Sequence, residues 1–439
     1  MSRALDGTPE LTNARADYYE RISEYSMAPL WEVLHQLLAK EPVTEATPHI
    51  WNYETIRLSI MESAELISAA EAERRVLVLE NPTLKGQSCI TEALYAGLQL
   101  IMPEEIAPTH RHSPAALRFI IEGSGAFTSI NGEKAYMEPG DLILTPSWVW
   151  HDHGHEGTEP VVWLDGLDIP MIRHMGPVFA EPFPNDFHPK SRPAGDNQSR
   201  YGANMLPMGA TFESSNSPVF HYPYSKTRDA LTTLAKSGDI DPYHGIKMEY
   251  INPATGGPTM PTLGTYMQHL PKGLITETYR STAAWVYSPA EGTGRTIIGE
   301  TTYEWTPRDV FVVPAWYPHR HEADDDAFSM GKGTERIYAI ASTGSEVTPE
   351  VFGIGLVGSI IWNSVMGFII GLLMPILALS SNSHNLWDFQ GAYETLINIC
   401  WIIPTTTLLG AVYGALNYGK RAVALRRGKA DYLASQEDA

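Results

Sequence analysis

The chain has 439 residues, too many for one ordinary core, and its 43% hydrophobic and 10% aromatic content can fill two or more. Against 31 basic residues stand 51 acidic ones, a formal charge of −20 with no basic stripe, which argues against a nucleic-acid partner. The only cysteines, Cys89 and Cys400, lie far apart and Cys400 falls in an apolar run, which supports neither a disulfide framework nor a thiolate metal site and fits a reducing compartment.

The first thirty residues carry charges throughout and no apolar core, so they do not read as a secretory signal, and the catalytic or binding part is expected in the cytoplasm. Residues 15–45 and 54–76 have helical spacing, giving an N-terminal helical arm over 1–80; Leu30, Leu34, Leu37 and Leu38 form an apolar stripe that reads as a packing face. From about 85 to 330 the sequence reads as two versions of one β-rich unit. In the first, 81–170, short apolar runs (ALRFIIEG, GAFTSI, KAYME, DLILTP) are separated by Gly, Asn-Gly and Pro-Gly signals, as small barrels require. Residues 171–260 are rich in Pro, Gly, Asn and aromatics and read as a connecting arm. The second version, 261–345, repeats the order: GDLILTPSWVWHDH (Gly140 to His153) aligns without gaps to RDVFVVPAWYPHRH (Arg308 to His321), an internal duplication.

The C-terminus departs from this pattern. Residues 351–387 and 395–419 carry no charge, and each run exceeds the ~20 residues a helix needs to cross a bilayer. Two transmembrane helices are expected within 350–419, with 351–379 and 395–419 as a possible membrane tether. Lys332 and Arg336 before the pair, and Lys420, Arg421, Arg426, Arg427 and Lys429 after it, place both ends and the 420–439 tail on the cytoplasmic side.

The chemistry concentrates in PTHRHSPAALRFIIEG, Pro108 to Gly123. Alternation along a strand puts His110 and His112 on one face, and His151 follows the Pro146 turn where a strand would return beside them. Such a set suits a first-row divalent metal, since neutral imidazole suits Fe, Zn, Cu and Ni. Taken alone, the pair also reads as surface polar residues of a loop after Pro108.

Both units resemble cupins. The first cupin motif is represented by His110, His112 and Gly123, and the second by Gly140, Pro146 and His151, with Trp148 where Gly is usual and His155 where Asn is usual. The motif's glutamate is absent, because Ala116 and Leu117 stand in its place. More closely, HRHSPAALRFIIEGSGAFT, GDLILTPSWVWHDHGHEG, VVWLDGLDIP and LYAGLQLIMP resemble the gentisate 1,2-dioxygenases, with their salicylate and 1-hydroxy-2-naphthoate relatives, over residues 15 to 328. The resemblance implies a mainly β bicupin fold and a homotetramer. It also implies Fe(II) on His110, His112 and His151, and ring opening of gentisate by O2 to maleylpyruvate.

Three neutral ligands leave the double charge of the ion for a substrate carboxylate and ortho hydroxyl to offset. Arg118, two residues beyond Ala116, faces the same interior, where a substrate carboxylate offers the planar partner it lacks. Pairing with Asp165 or Glu122 is the alternative reading of Arg118. By resemblance Tyr95, Gly97, Gln99, His153 and Asp165 fall at active-site positions, His153 suited to hydrogen-bond substrate and Asp165 to orient a histidine or arginine. Arg74 and Arg75 are candidates to close the pocket. The second unit has Tyr279-Arg280-Ser281 where the first has His-Arg-His, so it keeps only His319 and His321 and should hold no catalytic iron. A Zn or Mn cupin isomerase or hydrolase and a non-catalytic, membrane-tethered binder of aromatic acids remain as other readings.

Overall fold

A computed structural model describes residues 9–211 and 216–333. The apolar runs at 350–419 and the 420–439 tail lie outside the described residues; within them no helix is long and apolar enough to cross a membrane.

The alternating apolar runs form antiparallel strands in two barrels. In the first, a six-stranded sheet runs in the order His221–Tyr222, Leu142–Thr145, Ala116–Glu122, Val161–Leu167, Tyr95–Ile101, Val76–Val78. It is closed by a five-stranded sheet in the order Ala180–Pro182, Ile106–His112, His151–His155, Ala126–Ile130, Glu133–Tyr136. Asn131 and Gly132, both at positive φ (48° and 82°), make the two-residue turn that joins Ile130 to Glu133. The second barrel pairs a six-stranded sheet, His49–Trp51, Val310–Val313, Trp285–Glu291, Ala327–Gly333, Gly264–Leu270, Ile246–Glu249, with a three-stranded one, Thr301–Trp305, Gly294–Ile298, His319–Ala323.

The central strands of each large sheet bury both faces, which explains why ALRFIIE reads as a nearly continuous apolar run. One face looks into its own barrel. The other joins a shared core in which Leu98, Leu117, Phe119 and Leu164 of the first barrel meet Val286, Val312, Phe328 and Met330 of the second. At ~25 cal/mol per Å² of apolar surface removed from water, such a core outweighs any single polar contact in the chain.

The connecting segments carry more order than their turn-forming composition suggests. Ala180–Pro182 and His221–Tyr222 extend the first barrel and Ile246–Glu249 the second, while the N-terminal arm lends His49–Trp51 to the second. These strands of two to four residues are too short to show a period in the sequence and exist because a sheet edge is there to pair with. The Leu30 stripe differs from its reading as a packing face. The helix Leu30–Leu37 buries none of its residues, with Trp31 62% and Leu37 64% exposed, because no described part of the chain covers it.

Candidate metal centre and active site

Strand pairing assembles the site. His110 lies directly opposite His151 in the ladder between Ile106–His112 and His151–His155, and His112 follows two residues on, so the three rings share the barrel interior. Their centroids are 4.3 Å (His110 to His151), 4.9 Å (His112 to His151) and 5.3 Å (His110 to His112) apart. Among the described residues this is the group whose donor atoms could hold a metal ion, all within 4.8 Å of one another.

Each ring faces a backbone carbonyl with its Nδ1: His112 with Pro114 O at 2.8 Å, His151 with Val149 O at 3.0 Å, and His110 with Pro108 O at 3.4 Å. A carbonyl can only accept, so in His112 and His151 Nδ1 carries the proton and Nε2 keeps its lone pair for a ligand. Burial disfavours the imidazolium form; it lowers the pKa of His110, with help from the Arg74 charge, to about 3, and that of His112 to about 4. Burial holds His151 and His153 well below the usual histidine range. The Nε2 atoms of His151 and His153 are buried with no partner in the protein. An orphaned lone pair beside two more neutral imidazoles is what a first-row divalent metal would satisfy, so the residues present fit such an ion.

Ala116 leaves the cupin carboxylate position apolar. Arg118 is buried, and Asp165, Gly97 and Arg118 form one row across three strands, Asp165 pairing with both others. The guanidinium is therefore not without an acidic neighbour: Asp165 Oδ1 lies 3.5 Å from Arg118 Nε. That separation is an ion pair without a hydrogen bond, and Nε has no hydrogen-bond partner. Trp163 Nε1–H donates to Asp165 Oδ1 at 3.0 Å, and Arg118 Nη1 donates to Thr145 Oγ1. Burial raises the Asp165 pKa against the opposing Arg118 charge, and burial lowers that of Arg118. Glu122 is engaged elsewhere, with Arg57 and Tyr53.

His153 lies beside this row, 5.2 Å from the Trp163 ring, with its Nδ1 2.9 Å from Thr128 Oγ1. Tyr95, Gly97 and Gln99 alternate onto the same face of the strand Tyr95–Ile101, Gln99 opposite Trp163. A side chain at Gly97 would meet Val76 Cγ1 at 2.6 Å and Tyr95 Oη at 2.9 Å. Arg74 reaches the site, its Nη2 against both Pro108 O and His110 Nδ1. Arg75 does not: it is paired with Glu105 at 2.7 Å and bonded to Ile67 O. Both Nη atoms of Arg74 donate to backbone carbonyls, Nη1 to Glu73 O at 2.8 Å and Nη2 to Pro108 O, so its guanidinium is held at the pocket edge. Thr145 and Thr128 escaped the sequence reading, although the duplication carried a signal for Thr128, since Thr296 meets His321 Nδ1 at the same 2.9 Å.

A cupin-domain family profile matches residues 97–167. Gentisate 1,2 dioxygenase 1 of Aquipseudomonas alcaligenes is 49% identical over 319 residues, 73% of this chain and 92% of that protein. The 5-aminosalicylate 1,2-dioxygenase of Comamonas sp is 36% identical, covering 71% and 84%. Among solved structures, salicylate 1,2-dioxygenase from Pseudoaminobacter salicylatoxidans, in adducts with gentisate, superposes with a TM-score of 0.72 at 33% identity, over 78% of this chain and 95% of that one.

Proposed function

The chain belongs to the gentisate 1,2-dioxygenase family, and from that premise we propose that it opens the ring of gentisate (2,5-dihydroxybenzoate) with O2 to give maleylpyruvate. One observation carries the reading. In a single barrel interior, three neutral imidazoles converge beside the buried guanidinium of Arg118, whose Nε–H has no hydrogen-bond acceptor, with the Arg74 guanidinium at the pocket edge. An aromatic acid brings the missing carboxylate.

We assign Fe(II) to His110, His112 and His151. When bound, the ion supplies the Lewis acidity and one-electron chemistry that let O2 react with a closed-shell ring. The protein's part is positional. Arg118 offers a fork of N–H donors to the substrate carboxylate; Thr145 and Asp165 fix its plane and Asp165 balances its charge before substrate arrives. Arg74 adds a second donor from the pocket edge. His153 presents an unpartnered Nε2 while Thr128 holds Nδ1, so it can accept a hydrogen bond from a ring hydroxyl without leaving its rotamer. Tyr95, Gly97 and Gln99 shape the wall against the ring. The bond between the carboxyl-bearing carbon and its hydroxylated neighbour breaks, and both oxygen atoms of O2 end in the product.

The exposed Leu30–Leu37 face supports assembly of the chain as a homotetramer, and the apolar runs at 351–379 and 395–419 support a tether holding the barrels at the cytoplasmic side of a membrane.

The test is to give the purified, Fe(II)-loaded chain gentisate, salicylate and 1-hydroxy-2-naphthoate while recording O2 uptake and absorbance of the ring-opened product. Gentisate should be consumed fastest. A preference for either other acid would move the substrate assignment. No uptake with any of them, at about one iron per chain, would overturn ring opening and favour a binding protein.

A further inference from the structure

One buried cation stands outside the residues that line the site. Lys332, on the strand Ala327–Gly333 of the second barrel, is 0% exposed, and burial lowers its pKa to about 7 against the opposing pull of Asp165. Its place is fixed by the duplication. Asp165 pairs with Arg118 and Gly166 with Leu117 in the first barrel; Gly331 pairs with Tyr287 and Lys332 with Val286 in the second. Gly166 and Lys332 therefore hold equivalent positions and meet across the shared core. A Cβ on residue 166 would lie 2.2 Å from Lys332 Nζ and 2.9 Å from its Cδ, so glycine there is what admits the lysine. The ammonium then donates to the backbone carbonyl of Tyr95 at 3.0 Å, at the start of the strand that carries Gly97 and Gln99. An apolar side chain of the same length would fill this space with no desolvation penalty, so a lysine here has value only through its charge and hydrogen bond.

We propose that Lys332, supplied by the barrel without a metal triad, is a positioning residue for the active site of the other barrel. It holds the Tyr95 end of one wall and, lying over Gly166, fixes the backbone next to Asp165, the carboxylate that orients Arg118 toward the substrate carboxylate. The identity of that acid rests on the ring-opening reading; the effect on Tyr95 and Arg118 does not.

The test uses the full-length, iron-loaded chain with K332M, G166A and the double variant. K332M keeps the length and apolar stem, and G166A displaces the ammonium without removing it. Each should raise the KM for gentisate about tenfold with kcat changed far less and iron content unchanged, and the double variant should be no worse than K332M alone. A lysine that merely packs would shift Tm and leave KM alone, which would overturn the proposal. So would crystal structures of wild type and K332M in which Tyr95 and Arg118 superpose. If wild type binds gentisate under argon yet consumes no O2, ring opening fails while the ratio of Kd values still decides Lys332. If it binds no acid at all, the crystal comparison decides.

Discussion

In the first barrel the Trp148 N–H donates to the His112 carbonyl at 2.8 Å; in the second the Trp316 N–H donates to the Ser281 carbonyl at 2.7 Å. Both tryptophans sit at positive φ, 62° and 66°, and an arginine lies over each ring, Arg111 at 4.3 Å and Arg280 at 4.6 Å. His153 and His321 each meet a threonine, and Tyr279 faces His319 as His110 faces His151. What differs is the cargo of this corner. Tyr279 and Ser281 replace two ligands, Tyr287 and Gly331 replace Arg118 and Asp165, and Trp285 replaces Ala116. The space that the first barrel keeps for a metal and an acid is filled in the second by Trp285, Tyr287 and Phe311, stacked on one another, with Lys247 Nζ 3.6 Å from the Trp285 ring. The strained corner is thus a structural device that survives without the chemistry, and the chemistry lives in five or six interior side chains that the strands merely aim.

The most severe way to break the comparison is to remove matched histidines. His151→Ala should abolish O2 consumption and bound iron together, because two imidazoles cannot replace three, whereas His319→Ala should leave both as in wild type. Metal analysis beside oxygen electrode traces decides it; iron retained by the His151 variant would refute the ligand assignment. The next largest effect is expected at the matched pair Arg118 and Tyr287. Arg118→Gln removes a charge-assisted contact worth about 1.5–3 kcal/mol, so kcat/KM should fall about 10- to 100-fold with iron unchanged. Tyr287→Phe should leave turnover unaltered.

The comparison also shows what a sequence can and cannot carry. The Gly140–His153 repeat and the His110, His112, His151 set were legible because ligand type, strand alternation and a turn each leave a local mark. Arg118 was legible from strand alternation, with Asp165 as one possible partner, whereas Gly97 and the row the three form came only through family resemblance, since that row depends on the register of three strands. The Arg118–Asp165 separation, the Thr145 contact and the reach of Lys332 were not legible at all. They arise where segments distant in the chain meet, and no period or motif marks a meeting of that kind. The exposed Leu30–Leu37 face misled for a related reason: amphipathic spacing says that a face wants a cover, not that the same chain provides it.

Acid stability sharpens the contrast more gently. Burial lowers the pKa of His319 to about 4, while an unfolded histidine titrates near ~6.5. As pH falls below the unfolded value the unfolded chain takes up the proton first, so this stability is complete above about pH 6.5 and drains away as pH approaches 4. His319→Gln should reduce the loss over that window by up to about 3 kcal/mol, read from denaturant midpoints at several pH values. In the first barrel protons compete with metal for the imidazoles. The stability difference between iron-loaded and stripped protein should therefore shrink on acidification, and His319→Gln should leave that difference untouched.

The smallest expected effect on turnover comes from rebuilding rather than removing. Tyr279→His with Ser281→His places two imidazoles opposite His319, whose Nδ1 already faces the Tyr317 carbonyl at 3.2 Å and whose Nε2 is thereby left as the ligand atom. If ligand identity is what the second barrel lacks, Co(II) or Zn(II) bound per chain should rise from about one to about two. Ring opening should not rise with it, because no arginine–aspartate row stands beside the new triad. A stoichiometry that stays near one would locate the difference in volume instead, with Trp285 filling the place that Ala116 leaves open in the first barrel. Trp285→Ala added to the same variant separates the two, since it restores that space while leaving the grafted ligands in register.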